Sequence, residues 1–169
     1  MFPKWAKLVL IISYTIYCPL NAWALPQDQK ESLVLIADNV KLNNEKREGH
    51  FVGHVKIEQG SSTIYADQVF TYLDEQHQLN KAIATGSQSH PAKFTTRLEG
   101  EAKLLVAKAD RLTYLPLKQQ IVLNGQASIQ QGSQTYKAPV IIYDIQHKRI
   151  LSHKVGNKRS SIVIAENIL

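Results

Sequence analysis

Cysteine, methionine and tryptophan are nearly absent: one Cys, one Met and two Trp in 169 residues, all within the first 24. Without a cysteine pair there is no disulfide to constrain the fold and no thiolate set for zinc, so stability must come from burial and backbone pairing. Charge is weakly biased, 20 Lys and Arg against 14 Asp and Glu, which permits an anionic partner without requiring one. Helical periodicity is missing as well. The best window, Lys93 to Lys108 with Leu98, Ala102 and Leu105, is weakened by Thr95, Thr96 and Gly100. There is no Gly-x-Ser-x-Gly, no phosphate-cradling loop with lysine and no His-Glu-x-x-His. A nucleophile, a base and an orienting group cannot be assembled from what is present.

What is present begins with an export signal. Lys4 and Lys7 precede the apolar stretch Leu8 to Tyr17, and Asn21-Ala22-Trp23-Ala24 puts small residues at the two positions a signal peptidase reads. The stretch is short of the roughly 20 apolar residues a membrane span needs, and Pro19 and Asn21 interrupt it. Cleavage after Ala24 is expected. Cys18 follows the bulky Tyr17, which does not suit lipid attachment. Residues 25–169 then form a single exported domain of 145 residues with net charge +4 and no cysteine.

Strand signals fill that domain. Short apolar or alternating runs occur at Leu33 to Ile36, His50 to Glu58, Thr63 to Leu73, Lys103 to Val106, Arg111 to Leu115, Gln120 to Leu123, Ala127 to Gln130, Val140 to Asp144 and Ser161 to Ala165. Turn signals separate them, among them Leu42 to Glu45, Gln59 to Ser62, Leu73 to His77, Gly86 to Ser89, Asn124-Gly125 and Gln131 to Ser133. The pattern is all-β.

An internal repeat supports this. At an offset of 72, Asp38 aligns with Asp110, Gly53 with Gly125, Ile57 with Ile129, Gly60 with Gly132 and Ala66 with Ala138. A finer Ala-Asp element stands at Ala37-Asp38, Ala66-Asp67 and Ala109-Asp110, and Ala138-Pro139 is a fourth, altered copy. Equivalent positions of stacked units need not converge, so these aspartates read as turn formers that bond nearby backbone.

Period two then assigns faces. Val40, Leu42, Val69, Thr71, Leu112, Tyr114, Ile141 and Tyr143 fall on one side, together with Phe51, Val55 and Ile57 and their repeat mates Leu123, Ala127 and Ile129. Intervening positions are largely polar, so one face is expected to be apolar throughout and the other wet. His50 and His54 should share one side of a strand, as a surface pair without a third ligand of recognisable spacing. Ser89-His90-Pro91 reads as loop. The late basic residues His147, Lys148, Arg149, His153, Lys154, Lys158 and Arg159 suit either an anion or protection of a strand edge. Nucleic acid is disfavoured by export and by the lack of a basic stripe interleaved with stacking aromatics.

Several of these segments together resemble a known family. They are the cleaved signal, Leu33-Val34-Leu35-Ile36-Ala37-Asp38, Gly49-x-x-x-Gly53-x-Val-x-Ile-x-Gln-Gly60, Ala66-Asp67, Pro91-Ala92-Lys93-Phe94, Leu123-Asn124-Gly125-Gln-Ala, Gln130-Gln131-Gly132 and Gly156-Asn-Lys-Arg-Ser-Ser-Ile-Val-Ile. In order and spacing they are similar to the LptA (OstA-like) family of periplasmic bridge proteins in lipopolysaccharide export. The resemblance implies an all-β fold of stacked antiparallel strands, a V-shaped, slightly twisted β-jellyroll with an open apolar interior. It implies no enzyme activity, no cofactor and no metal. Acyl chains of lipid A would travel inside and sugars outside, between inner-membrane LptC-like and outer-membrane LptD-like β-jellyroll domains, with head-to-tail self-association.

The interior positions it implies are Leu33, Leu35, Phe94, Leu112 and Tyr114, which the face assignment extends to Val40, Leu42, Phe51, Val55, Ile57, Val69, Leu123, Ile129, Ile141 and Tyr143. Each could equally be plain core. Pro139 departs from the Ala-Asp pattern, at a type of position where strand edges tolerate proline. Two alternatives stay open: a membrane-anchored LptC-like component that keeps its N-terminal segment, and an exported hydrolase or sugar-binding β-protein using His50, His54 or His90.

Overall fold

The structure, a computed structural model, describes residues 31–98, 104–153, 156 and 159–164. The expected signal at 1–24, and Lys103, Lys154, Lys158 and Ala165, lie outside them. Twelve strands follow in order: β1 Leu33–Ile36, β2 Asn39–Asn43, β3 Glu48–Gln59, β4 Ser62–Leu73, β5 Leu79–Thr85, β6 Ala92–Arg97, β7 Leu104–Ala109, β8 Arg111–Leu115, β9 Gln120–Gln131, β10 Gln134–Asp144, β11 Arg149–His153 and β12 Ser161–Ile164. One 3-10 turn, Pro116–Lys118, joins β8 to β9. All pairings are antiparallel. The expected all-β class is what forms, and the Lys93 to Lys108 window supplies strands β6 and β7.

The four long strands change neighbours halfway along. The C-terminal half of β3 pairs with β1 and its N-terminal half with β2, and β9 does the same with β7 and β8. Strand β4 passes from β6 to β5, and β10 from β12 to β11. Two layers of eight segments result. The first runs β1, β3, β4, β6, β7, β9, β10, β12, and the second β2, β3, β4, β5, β8, β9, β10, β11. The layers face each other across one apolar core, as in a jellyroll.

The corner between the layers is made by bulges. Register slips by one residue between Val52 and Val55, and again where Asn124 and Ala127 face Val140 and Ala138. At the first sit Gly53 and His54 with φ of 84° and 46°, and at the second Gly125 and Gln126 with 75° and 44°. Left-handed backbone favours glycine, and an extra residue bends the bulged strand. Asn124-Gly125 is therefore not the hairpin turn its composition suggests but a bend inside β9, which unites two runs that read as separate strands.

The aspartates also differ from expectation. Asp38 sits between β1 and β2 and Asp110 between β7 and β8, and their backbone N–H groups donate to the carbonyls of Gly53 and Gly125, each at 3.0 Å. Their side chains cross the bulges and do not close turns. Asp67 lies within β4. Turn signals elsewhere hold: the Asp74 carboxylate accepts from the amides of Gln76 and Gln78 at 3.0 and 2.8 Å.

The outer surface is less polar than alternation predicts. Pairing lines up Lys41, His50, Phe70, Ile83, Thr113, Val122, Ile142 and Leu151 across the outward side of the second layer. Phe70 and Leu151 are exposed there.

Candidate functional site

The interior is the candidate site, because its lining is continuous from one end of the array to the other. Of the positions expected to line it, Phe51, Val55, Ile57, Val69, Phe94, Leu112, Tyr114, Leu123, Ile129, Ile141 and Tyr143 are buried. Leu33 and Leu35 are half-buried and pack on the cluster's rim. Phe94 of the first layer meets Tyr114 of the second, ring centroids 5.1 Å apart and planes tilted by 41°, a favourable aromatic geometry that ties the layers together. Leu105, Ile121 and Ile64 are equally buried and were not among the expected positions. Leu105 was within reach of the sequence, since an offset of 72 from Leu33 lands on it.

Val40 and Leu42 correct the expectation. They stand opposite Phe51 and Gly49, on the inward side of β2, yet are 51% and 67% exposed. Period two gives the side of a sheet a residue faces, and burial needs a second surface to cover it. Nothing among the described residues covers this end.

The two ends are alike in that respect. Among the described residues, β1 and β2 pair only with β3, and β11 and β12 only with β10, so both ends present unpaired strand edges. Val34, Ile36, Val40 and Leu42 are exposed at one end, and Leu151, Ile162 and Val163 at the other. At the β2 end a cleft of about 170 Å³ is lined by Lys41, Leu42, Asn43, Glu48, Gly49, His50, Phe70, Thr71 and Tyr72.

The histidines are not brought together. The bulge at Gly53 separates His50, which stacks on Phe70 at 4.2 Å and meets Gln68, from His54, whose Nδ1 lies 2.8 Å from Oδ2 of Asp38. That bond and the Asp38 charge raise the His54 imidazole above its ordinary value, with a smaller contribution from the Asp67 charge. His90 sits in the Gly86 to Pro91 loop, its amide donating to the Ser87 hydroxyl at 3.1 Å. Among the described residues, no three His, Cys, Asp or Glu side chains gather where they could hold a metal ion.

Part of the late basic cluster is tied to one carboxylate. Asp144 accepts from the His147 amide at 2.9 Å and the Arg149 guanidinium at 3.1 Å, and lies beside the His147 ring. Burial disfavours its ionised form, but the His147 amide, the His147 ring and Arg149 outweigh it and lower the carboxyl to about 2.

Known proteins share these features. The family described as LptA/(LptD N-terminal domain) LPS transport protein matches residues 35–149. The lipopolysaccharide export system protein LptA of Haemophilus influenzae is 24% identical over 156 residues, covering 92% of this chain and 90% of its own. LptA of Escherichia coli (strain K12) is 24% identical over 161 residues, covering 95% and 85%. The crystal structure of LptH, the LptA homologous periplasmic component of the lipopolysaccharide transport device from Pseudomonas aeruginosa, superposes with a TM-score of 0.77 at 20% identity, over 83% of this chain and 100% of that one. The two-layer fold and the match across both repeats place the chain in the LptA/(LptD N-terminal domain) family of LPS transport proteins.

Proposed function

We propose that this protein carries lipopolysaccharide across the periplasm, holding the acyl chains of lipid A between its two layers while the sugars remain outside. Residues 1–24 would be the export signal, removed after Ala24, and 25–169 the working domain. The observation that carries the reading is the apolar lining, continuous from the β1/β2 end to the β11/β12 end and uncapped at both among the described residues.

Energetics explain why continuity matters. Burying a methylene is worth about 0.8 kcal/mol, so a chain of a dozen carbons resists leaving for water by about 10 kcal/mol. A break in the lining would stop movement. The interior side chains are buried against one another, so lipid would enter by separating the layers and replacing core contacts with acyl contacts. The exposed edges suit end-to-end joining by strand addition, with further copies of this chain and with LptC-like and LptD-like jellyroll domains at the two membranes.

Calorimetric titration tests the reading. Lipopolysaccharide should bind the 25–169 chain with a negative heat-capacity change from apolar burial. Polysaccharide freed of lipid A should bind at least about a hundredfold more weakly, as expected when the acyl chains supply the affinity. Equal binding of the two would refute it.

A further inference from the structure

Cross-strand pairing puts Lys56, Tyr65, Lys93, Lys108, Ser128 and Lys137 in one row over six neighbouring segments of the first layer. All four lysines face outward, since buried residues flank them: Val55 and Ile57, Ala92 and Phe94, Ala107 and Ala109, and Ala138. At about 4.8 Å per strand the row extends about 24 Å, parallel to the axis of the interior.

Internal contacts account for only part of this row: the amino groups of Lys56 and Lys93 lie over the Tyr65 ring, 6.0 and 5.7 Å from its centroid, and Lys108 and Lys137 have no such ring among the described residues. Lys93 and Lys108 stand directly opposite each other, and like charges so placed destabilise a sheet. Lys56 has an anion, Glu58 at 2.7 Å. Among the described residues no carboxylate lies within 4.0 Å of the amino groups of Lys93, Lys108 or Lys137. Of the corner aspartates bordering the row, Asp38 is engaged by His54, and Asp110 packs over Gly125 and accepts from Gln126 at 3.5 Å. Asp67 is the remaining carboxylate on that line.

We propose that Lys93, Lys108 and Lys137 form an outward track for the phosphate groups of a phosphorylated saccharide headgroup whose acyl chains occupy the interior. The inference rests on the reading given under Proposed function. Ammonium groups suit phosphate as point charges, and their spacing along the axis lets a headgroup pass from one to the next. Across the same six segments the next row outward holds Glu58, Thr63, Thr95, Val106, Gln130 and Thr135, with exposed Val34 and Val163 at its ends. Its middle is mostly polar, which fits a hydrated sugar better than the large apolar anchors a bilayer surface would need.

The test compares the full exported chain with a Lys93→Gln/Lys108→Gln/Lys137→Gln variant. The probes are lipopolysaccharide, the same material dephosphorylated with hydrofluoric acid, and phosphatidylglycerol vesicles. Removing phosphate should weaken native binding about tenfold and that of the variant hardly at all, with the loss on the native chain shrinking as salt rises. A Lys→Arg triple variant should restore the phosphate preference. Lys108→Gln alone, which relieves Lys93 and leaves the Tyr65 contact in place, should raise the melting temperature, and a fall would make Lys108 structural and overturn the proposal.

Equal phosphate preference in native chain and glutamine variant overturns it and leaves lipopolysaccharide carriage standing. A matching loss of vesicle binding replaces it with a membrane-surface role. If the native chain binds neither form of lipopolysaccharide, carriage itself fails and the track falls with it.

Discussion

The carboxylate of Asp110 lies where a side chain on Gly125 would begin: a Cβ there would stand 2.3 Å from Oδ2. Asp38 holds the same relation to Gly53, also at 2.3 Å. Each pair lets a long strand bend from one layer into the other, so the corner depends on glycine for both space and backbone angle.

Gly125→Ala and Gly53→Ala should therefore each cost about 2 to 4 kcal/mol in denaturant unfolding, combining left-handed strain with steric conflict. Gly156→Ala, with φ of 58° and open space around it, carries the strain alone and should cost about 1 kcal/mol. Because the conflict is with the aspartate, adding Asp110→Ala to Gly125→Ala should cost less than the two single changes summed. Strict additivity would mean the carboxylate does not define the corner.

Asp144 gives an acid limb to the stability profile. Its carboxyl is lowered to about 2 in the fold against 3.8 ordinarily, so its contribution is present above about pH 4 and is lost as pH falls toward 2. Unfolding free energy followed from pH 5 to 2 should drop less steeply in Asp144→Asn. An unchanged slope would mean His147 and Arg149 do not hold the carboxylate in solution.

His54 runs in the opposite sense. The bond to Asp38, then its charge, raise the imidazole above 6.5, so the pairing is complete below that value and fades as pH rises through the folded-state midpoint. Proton NMR should show the His54 midpoint above 6.5 in the native chain and lower in Asp38→Asn. The equivalent corner of the second repeat carries Gln126 and lacks this titration.

Interior and edge should separate cleanly. Ile129→Ala, at a fully buried position, should cost about 2 to 5 kcal/mol. Leu42→Asp, on an exposed edge strand, should change stability by no more than about 0.5 kcal/mol while abolishing concentration-dependent end-to-end association in sedimentation velocity. Association unaffected by Leu42→Asp and by Leu151→Asp at the other end would remove these edges from the proposed joints.

The sequence shows these relations unevenly. Arg111 to Leu115 is a strand with the expected bounds, and the offset of 72 reappears as the paired bulges at Gly53 and Gly125, because local pattern and backbone freedom are both written in adjacent residues. Asn124-Gly125 misleads because that dipeptide favours hairpin turns, while its role here is decided by Asp110, fifteen positions upstream. Val40 and Leu42 point inward as periodicity predicts, and are exposed because nothing in this chain's described residues covers them. Coverage is a property of the assembly of strands, not of one strand's pattern. The lysine row is invisible until pairing fixes which residues stand side by side.

The claim that acyl chains occupy the interior is tested most directly by site-specific photo-crosslinking in cells exporting lipopolysaccharide. A photoreactive residue at Leu35, Phe94 or Tyr114 should form adducts with the lipid, and one at outward Arg111 or at Glu75 in the β4–β5 turn should not. Adducts of equal yield at both sets, or at the outward set alone, would contradict the account.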